Sequence, residues 1–311
     1  MKRNIMIILL AFCGGIFWFR AGVGQELSSQ QTKWLLSRVL LLEKEEKTAQ
    51  SFLQKGNILF ASESSEKETE SPPPSLPATA EKKEPKLRNQ TSYDIDVNAL
   101  LNRSLSFLPV GKESPQVLIV HTHTSEGYAP EERTNNPEKN VTAMGSIIAE
   151  ELKKAGIGVI HDKTVHDTDY NGSYGRCLET VERQLKEHPG IRIVLDVHRD
   201  AAVLEGGQSL RVISETEQTP TGQIMLVIGT EEGGLSHPAW ESNLAFGLRI
   251  QQAMDVLFPD LARPLNLRKE RFNQHLAPGM IIVEVAANGN SIEEAGEGAK
   301  KFAKSLCTVL K

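Results

Sequence analysis

From about residue 112 onward, short β-rich apolar runs alternate with longer stretches of helical periodicity. Val117, Leu118, Ile119 and Val120 form the first run, and an amphipathic stretch follows at 140–155. A second run at 157–160, a helical stretch at 174–187 and a third run at 191–197 repeat the alternation. Strand candidates at 210–213 and 224–228 come next, then a helix at 240–256, a strand at 280–285 and a closing helix at 291–310. Strand and helix in alternation predict an α/β domain built on a parallel sheet. The expected architecture over 111–311 is therefore a single three-layer domain, a mostly parallel central sheet flanked by helices.

The pattern ahead of this domain is different. Lys2 and Arg3 precede an apolar stretch over 5–19 that Arg20 closes, as in a secretory signal or signal anchor. A bilayer core needs ~20 apolar residues, a length reached through Ala21, Gly22 and Val23 if Arg20 snorkels. The positive-inside rule leaves Lys2 and Arg3 in the cytoplasm and the bulk of the chain outside. Segment 1–24 is thus read as a membrane anchor, with cleavage at the small residues 21–24 as the alternative. Helical periodicity over 25–60, with the charged run Glu43, Lys44, Glu45, Glu46, Lys47, predicts a stalk helix. Across 62–91 the composition turns to Ser, Glu, Lys and Pro, including Pro72, Pro73 and Pro74. Such a stretch buries too little apolar surface to order itself, so 61–110 is expected to be a disordered linker.

Composition narrows the chemistry. With 39% hydrophobic residues in 311 the chain can bury an ordinary core. A net charge of -5 and a pI near 6.0 supply no basic surface for nucleic acid. Beyond Cys13 only Cys177 and Cys307 remain, without a CxxC spacing, so neither a cysteine zinc site nor a disulfide framework is expected. No GxGxxG or GxxxxGK(S/T) loop is present, which disfavours nucleotide chemistry.

Functional residues of open α/β sheets gather at the carboxyl ends of strands. Two predicted strands end in histidine: the first runs into His121, Thr122, His123, Thr124, Ser125 and Glu126, the other into Asp196, Val197, His198, Arg199 and Asp200. Neutral imidazoles with one carboxylate suit Zn²⁺, and catalytic zinc takes three protein ligands and leaves a place for water. The third ligand should be a carboxylate, and both Glu126 and Glu138 are candidates. Glu138 also has a plainer reading, as a carboxylate complementing the dipole of the helix that follows. Glu284 interrupts an apolar strand where an unpaired carboxylate is costly, which suits the proton carrier such a site needs. Its alternative is a structural ion pair with an arginine such as Arg199.

Several ordered blocks carry a family resemblance: VLIVHTHTSEGY from Val117, EKNVTAMGSIIAEELKKAGIGVIHDKTVHD from Glu138, IVLDVHRDA from Ile193, SHPAWESNLAFGL from Ser236 and FNQHLAPGMIIVEVAANGNSIEEA from Phe272. In these the chain resembles the stage II sporulation protein P family of cell-wall hydrolases and, more distantly, is similar to the zinc-dependent N-acetylmuramoyl-L-alanine amidases. The resemblance implies Zn²⁺ held by His121 or His123 with Glu138 and His198, and Glu284 as the catalytic proton carrier. It favours Glu138 over Glu126 and does not choose within the histidine pair. Residues two apart on a strand share a face, so one histidine could ligate while the other orients it. Arg199 is expected to steady an oxyanion or a substrate carboxylate.

The implied reaction is hydrolysis of the amide between the muramic acid lactyl group and L-alanine, with a second endopeptidase activity on peptide cross-links. The implied setting is septal wall degradation in engulfment, on the outer side of the cell membrane, with peptidoglycan as substrate and the stage II sporulation proteins D and M as partners. A non-catalytic wall-binding scaffold is the alternative. The sequence departs from the family at Phe272 and His275, where YNQDL is usual, and at Ala286, where glycine is usual. His161 and His166 are read as a structural loop, His237 as a cap or groove residue and His275 as a solvated variant.

Overall fold

The structure, a computed structural model, describes residues 9–12, 15–18, 84–108 and 115–311. Two compact units are distinguished, Met1–Thr69 and Glu70–Lys311. In the first, Leu9–Phe12 and Gly15–Trp18 form a short antiparallel pair. The rest of the expected anchor, and the whole expected stalk helix, lie outside the described residues. Among the described residues no helix is long and apolar enough to cross a membrane.

The second unit is a mixed α/β domain with a mostly parallel central sheet and helices on both faces. Its strands are β1 (Leu87–Asn89), β2 (Val117–Val120), β3 (Val159–His161), β4 (Ile193–Asp200), β5 (Ile213–Ser214), β6 (Thr221–Gly222), β7 (Ile224–Gly229), β8 (Leu265–Arg268) and β9 (Gly279–Ala287). The helices are α1 (Val97–Asn102), α2 (Val141–Lys154), α3 (Ser173–Glu187), α4 (Trp240–Leu257) and α5 (Ile292–Leu310). Seven strands make the sheet, in the order β1-β8-β7-β9-β4-β2-β3, and β5 pairs only with β6 beside it. Every neighbouring pair in the large sheet is parallel except β7 with β9.

Strand alternation divides the interior into two layers of unequal weight. Val117 and Ile119 of β2, Ile193, Leu195 and Val197 of β4, and Ile281, Val283 and Val285 of β9 enter the main core with α2, α4 and α5. Leu118, Val120, Val194 and Met280 point the other way, onto Cys177 and Val181 of α3. Asp196, His198 and Glu284 share this second, more thinly covered face by the two-residue period of the strand. Polar side chains can sit there without breaching the main core.

The helices stop and start where local chemistry dictates. Asn140 caps α2 by accepting from Thr142 N at 2.9 Å, and Lys153 and Lys154 occupy its last turn. Ser291 and Glu294 form a reciprocal capping box at the head of α5.

The expected linker over 61–110 is corrected in its second half. Leu87–Asn89 pairs in parallel with β8 as the sheet's edge, and α1 packs on α4. Leu100, Leu105 and Phe107 belong to the main core, with Phe107 edge-on to Phe246 at 5.5 Å. The Ser, Glu, Lys and Pro bias of 62–91 does not extend over 92–108, where Ile95, Val97, Leu100, Leu101, Leu105, Phe107 and Leu108 supply the docked side. Strands β1 and β8 were not foreseen, being short and polar at every other position. A chain beginning at residue 112 therefore loses core as well as linker. Burial of a large apolar side chain is worth ~1.5–3 kcal/mol, so such a chain is expected to unfold at clearly lower urea concentration than one beginning at residue 84, by circular dichroism.

Candidate functional site

Parallel registry brings the chemistry together. Val120 of β2 lies opposite Asp196 of β4, and His198 of β4 lies opposite Glu284 of β9, so the end of β2 opens onto the last residues of β4 and β9. The register sets His198 beside Glu284 on adjoining strands, and His123 follows in the loop after β2.

His198 is the hub. It is buried, with Nδ1 at 3.3 Å from Glu126 Oε2 and Nε2 at 3.1 Å from Asp196 Oδ1, the latter an ion contact without hydrogen-bond alignment. Burial alone would lower its pKa, but Asp196 and Glu126 outweigh that and raise it well above the usual histidine value. Burial would likewise raise Asp196. The His198 charge and the hydrogen bonds from Thr122 N (2.8 Å) and Thr122 Oγ1 (2.6 Å) instead hold it at about 2. Glu126 resists its own burial in the same way, lowered by His198 and Arg199. The arrangement is an imidazolium between two carboxylates.

Glu284 completes the cluster with the opposite behaviour. Its Oε2 is shut off from solvent without a hydrogen-bond partner, and burial lifts its pKa to about 8 against the pull of His198. The strand is deformed just beyond it. Pairing with β4 shifts register between Glu284 and Ala287, and Ala286 takes a φ of 58°. That left-handed conformation is relaxed for glycine and strained for alanine, which gives physical content to Ala286 as a departure from the family pattern.

The two histidines of the first loop do not share a face. Strand β2 ends at Val120 and residues 122–125 turn, so the strand rule stops applying at His121. His121 points toward α2: its Nδ1 is 2.9 Å from Val197 O and its Nε2 2.8 Å from His161 Nε2. The carbonyl partner makes Nδ1 the donor, leaving Nε2 to accept from His161. Burial lowers His121 to about 4, and burial together with His121 lowers His161 to about 3, so the pair is neutral. His123 lies on the α3 side, its ring 5.4 Å from that of His198, stacked on Tyr170 at 4.3 Å and 7° and edge-on to Tyr174 at 5.6 Å. Its Nδ1 is buried and has no partner, and burial lowers its pKa.

Glu138, the carboxylate favoured by the resemblance, is not brought to this cluster. It is exposed in the loop ahead of α2, where only its amide is engaged, donating to Asn136 Oδ1 at 3.0 Å. Asn140 caps the helix instead. The carboxylate delivered to His198 is Glu126, held by the bridge between Gly127 and Asn140 and by Val141 N donating to its carbonyl at 2.9 Å. Arg199 is buried, with Nε donating to Gly127 O at 2.9 Å and Nη2 to Glu132 O at 2.8 Å, so in this structure it holds the loop that carries Glu126.

Asp196 was not among the sequence candidates as a site residue, although a buried acidic residue two before a strand-end histidine was the available signal. Tyr128 was missed too; its hydroxyl donates to Val285 O at 3.0 Å, tying the first loop to the strand of Glu284. Of the other histidines, His166 bridges His121 O (2.8 Å) and Thr180 Oγ1 (2.9 Å), a structural role. His237 is buried at the head of α4, where its carbonyl accepts from Trp240 N at 3.1 Å. His275 is partly buried, with its Nδ1 shielded and unpartnered, so it is not solvated.

Among the described residues no group of three or more His, Cys, Asp or Glu side chains stands arranged to hold a metal ion. The donor chemistry nonetheless fits one: His123 Nδ1 and Glu284 Oε2 are buried atoms without hydrogen-bond partners, and His198 turns Nδ1 toward the Glu126 carboxylate beside them. Orphaned polar atoms are costly and ask for a partner.

A family model described as Stage II sporulation protein P (SpoIIP) matches residues 26–307. No curated protein sequence matches the chain. Among solved structures the chain is similar to the N-acetylmuramoyl-L-alanine amidase AmiC2 of Nostoc punctiforme, at 14% identity over 63% of this chain and 96% of that one, with a TM-score of 0.35. It is also similar to the N-acetylmuramoyl-L-alanine amidase from Clostridium difficile 630, at 13% identity over 63% and 94%, with a TM-score of 0.37. Likeness at that level assigns no residue.

Two outcomes follow from the geometry. A Cβ on Gly145 of α2 would sit 2.6 Å from His161 Nε2 and 2.7 Å from His121 Nε2. Gly145→Ala is therefore expected to lower stability, although alanine favours a helix by about 1 kcal/mol, and to shift the NMR signals of both imidazoles. The second concerns pH. Between its ordinary 4.5 and about 8, Glu284 keeps a proton in the folded metal-free protein that the unfolded chain has lost. Its contribution to stability thus falls as pH rises across that window. Glu284→Gln should gain stability relative to wild type from pH 5 to pH 8 in urea titrations; a constant difference would contradict the assignment.

Proposed function

The chain belongs to the stage II sporulation protein P family, and from that premise we propose that it is a zinc-dependent peptidoglycan hydrolase, an N-acetylmuramoyl-L-alanine amidase in its main reaction. Family membership supports the cell-wall hydrolase role. The zinc reading is carried by one observation, the meeting of His123, His198 and the Glu126 carboxylate in a buried cluster where His123 Nδ1 and Glu284 Oε2 have no partner. In this reading His123, Glu126 and His198 hold the ion, and His121, whose nitrogens both have protein partners, positions the strand beside it.

Zinc bound there would polarise the scissile carbonyl and lower the pKa of water toward ~7. The protein's own groups do the remaining work. Asp196, fixed by Thr122, lies behind His198 at Nε2, so the ring would offer the ion Nδ1, the nitrogen on the Glu126 side. Glu284 Oε2 takes a proton from the attacking water and returns it to the leaving nitrogen, a task that suits a carboxyl poised near neutrality. Tyr174 and Tyr170 wall the His123 side against solvent. The proposal extends to an N-terminal membrane anchor, an extracytoplasmic domain, cross-link endopeptidase activity and action beside the stage II sporulation proteins D and M.

A second reading, a non-catalytic wall-binding scaffold, draws on the absence among the described residues of a preformed three-ligand group. One set of measurements separates the two. The intact protein is expected to carry about one zinc by mass spectrometry, and His123→Ala, Glu126→Ala and His198→Ala to lose it while Glu138→Ala keeps it. Glu284→Gln should retain zinc and release stem peptides from purified wall ~10²–10⁴-fold more slowly. Absence of zinc from the wild type, or an undiminished rate for Glu284→Gln, would sink the hydrolase mechanism.

A further inference from the structure

Arg199 cannot recognise substrate in this structure with its Nε and Nη2 spent on loop carbonyls. Another arginine stands in the open beside the same site. Arg133 is exposed, its guanidinium carbon 5.0 Å from the centroid of the Tyr170 ring, and Tyr170 is itself stacked on His123. Its Nη1 donates to Ser125 Oγ at 3.1 Å. Among the described residues it forms no ion pair, whereas Arg103, Arg183, Arg211, Arg263 and Arg268 each have a carboxylate.

Three acidic residues of the neighbouring loops already have partners of their own. Asp167 accepts from Ser125 N at 3.0 Å, Ser125 Oγ at 2.5 Å and Thr124 Oγ1 at 2.6 Å. Glu132 accepts from Asn288 at 3.1 Å and from Ser209, and Glu131 lies 3.8 Å from Lys139. A cation fixed by a hydroxyl and an aromatic face, with no carboxylate of its own, is a place for a carboxylate that arrives from outside. Tyr170 is 53% exposed, so the platform is open to solvent.

Position sets the substrate. Arg133 is two stacked side chains out from His123, and extended peptide advances ~3.3–3.6 Å per residue. A carboxylate within two or three residues of the scissile bond would reach it. We propose that Arg133 and Tyr170 form a subsite for a free carboxylate on the peptide arm of the wall substrate, close to the bond that is cut. The inference rests on the hydrolase reading for the identity of the ligand, and its test is a binding measurement that needs no turnover.

Intact zinc-loaded wild type and Arg133→Ala would be titrated calorimetrically with the stem tripeptide alone, which lacks the muramoyl amide that the proposed reaction cuts and whose carboxyls are all free. The same peptide would then be used amidated at the α-carboxyl of its second residue, or amidated at its C-terminus. The expected result is that Arg133→Ala binds the free acid about fivefold to tenfold more weakly and loses discrimination against one of the two amides, which identifies the carboxylate. Arg133→Lys should fall between, since lysine cannot offer the planar two-donor fork, and Tyr170→Leu should weaken the free acid selectively. Equal affinity of wild type for acid and amides, an equal loss for all three on Arg133→Ala, or no binding of any fragment would overturn the subsite. Acid-selective binding by a wild type that releases no peptide from wall would instead overturn the hydrolase reading and leave the subsite standing.

Discussion

Registry between β4 and β9 sets Glu284 beside His198 on the thinner face of the sheet, and most of the site is arranged around the charge of that buried imidazole. One positive charge on His198 has three carboxylates within its field, and they respond unequally. Asp196 and Glu126 touch it and stay ionised; Glu284 does not and is driven toward neutrality by burial. Groups in similar surroundings whose pKa values are pushed apart are the usual basis for dividing ligand and acid/base roles.

The loop after β2 exists to supply this charge balance. Glu126 reaches His198 only because residues 126–140 fold back on themselves, through Gly127 with Asn140 and Glu126 with Arg133. Arg199 closes the arrangement from β4 by holding two carbonyls of that loop, while its amide donates to Glu126 Oε2 at 3.2 Å. Removing any one partner would leave a buried charge or donor without compensation. Arg199 is thus spent inside the structure, while Arg133 of the same loop stays exposed, with a hydroxyl and an aromatic ring as its partners.

Behind the site, the neutral pair His121 and His161 clamps the carbonyl of Val197, the residue before His198, against α2. Gly145 leaves room for both rings, so an apparently idle glycine in a helix is a packing requirement of the sheet edge.

The sequence by itself determined the strand and helix alternation, the mostly parallel character of the sheet, and the presence of a histidine and a carboxylate on two otherwise apolar strands. Those follow from local periodicity and from the cost of an unpaired carboxylate in an apolar run. It also determined the family, through ordered blocks spread over the domain. Tertiary structure alone decided that Glu126 meets His198 while Glu138 stays exposed, because that depends on how a loop closes rather than on spacing. It alone separated His121 from His123, since β2 ends one residue before the pair and the two-residue period ends with it. It likewise decided that 84–108 belongs to the fold, where short apolar runs without a long periodic element gain their worth only from the surface they meet.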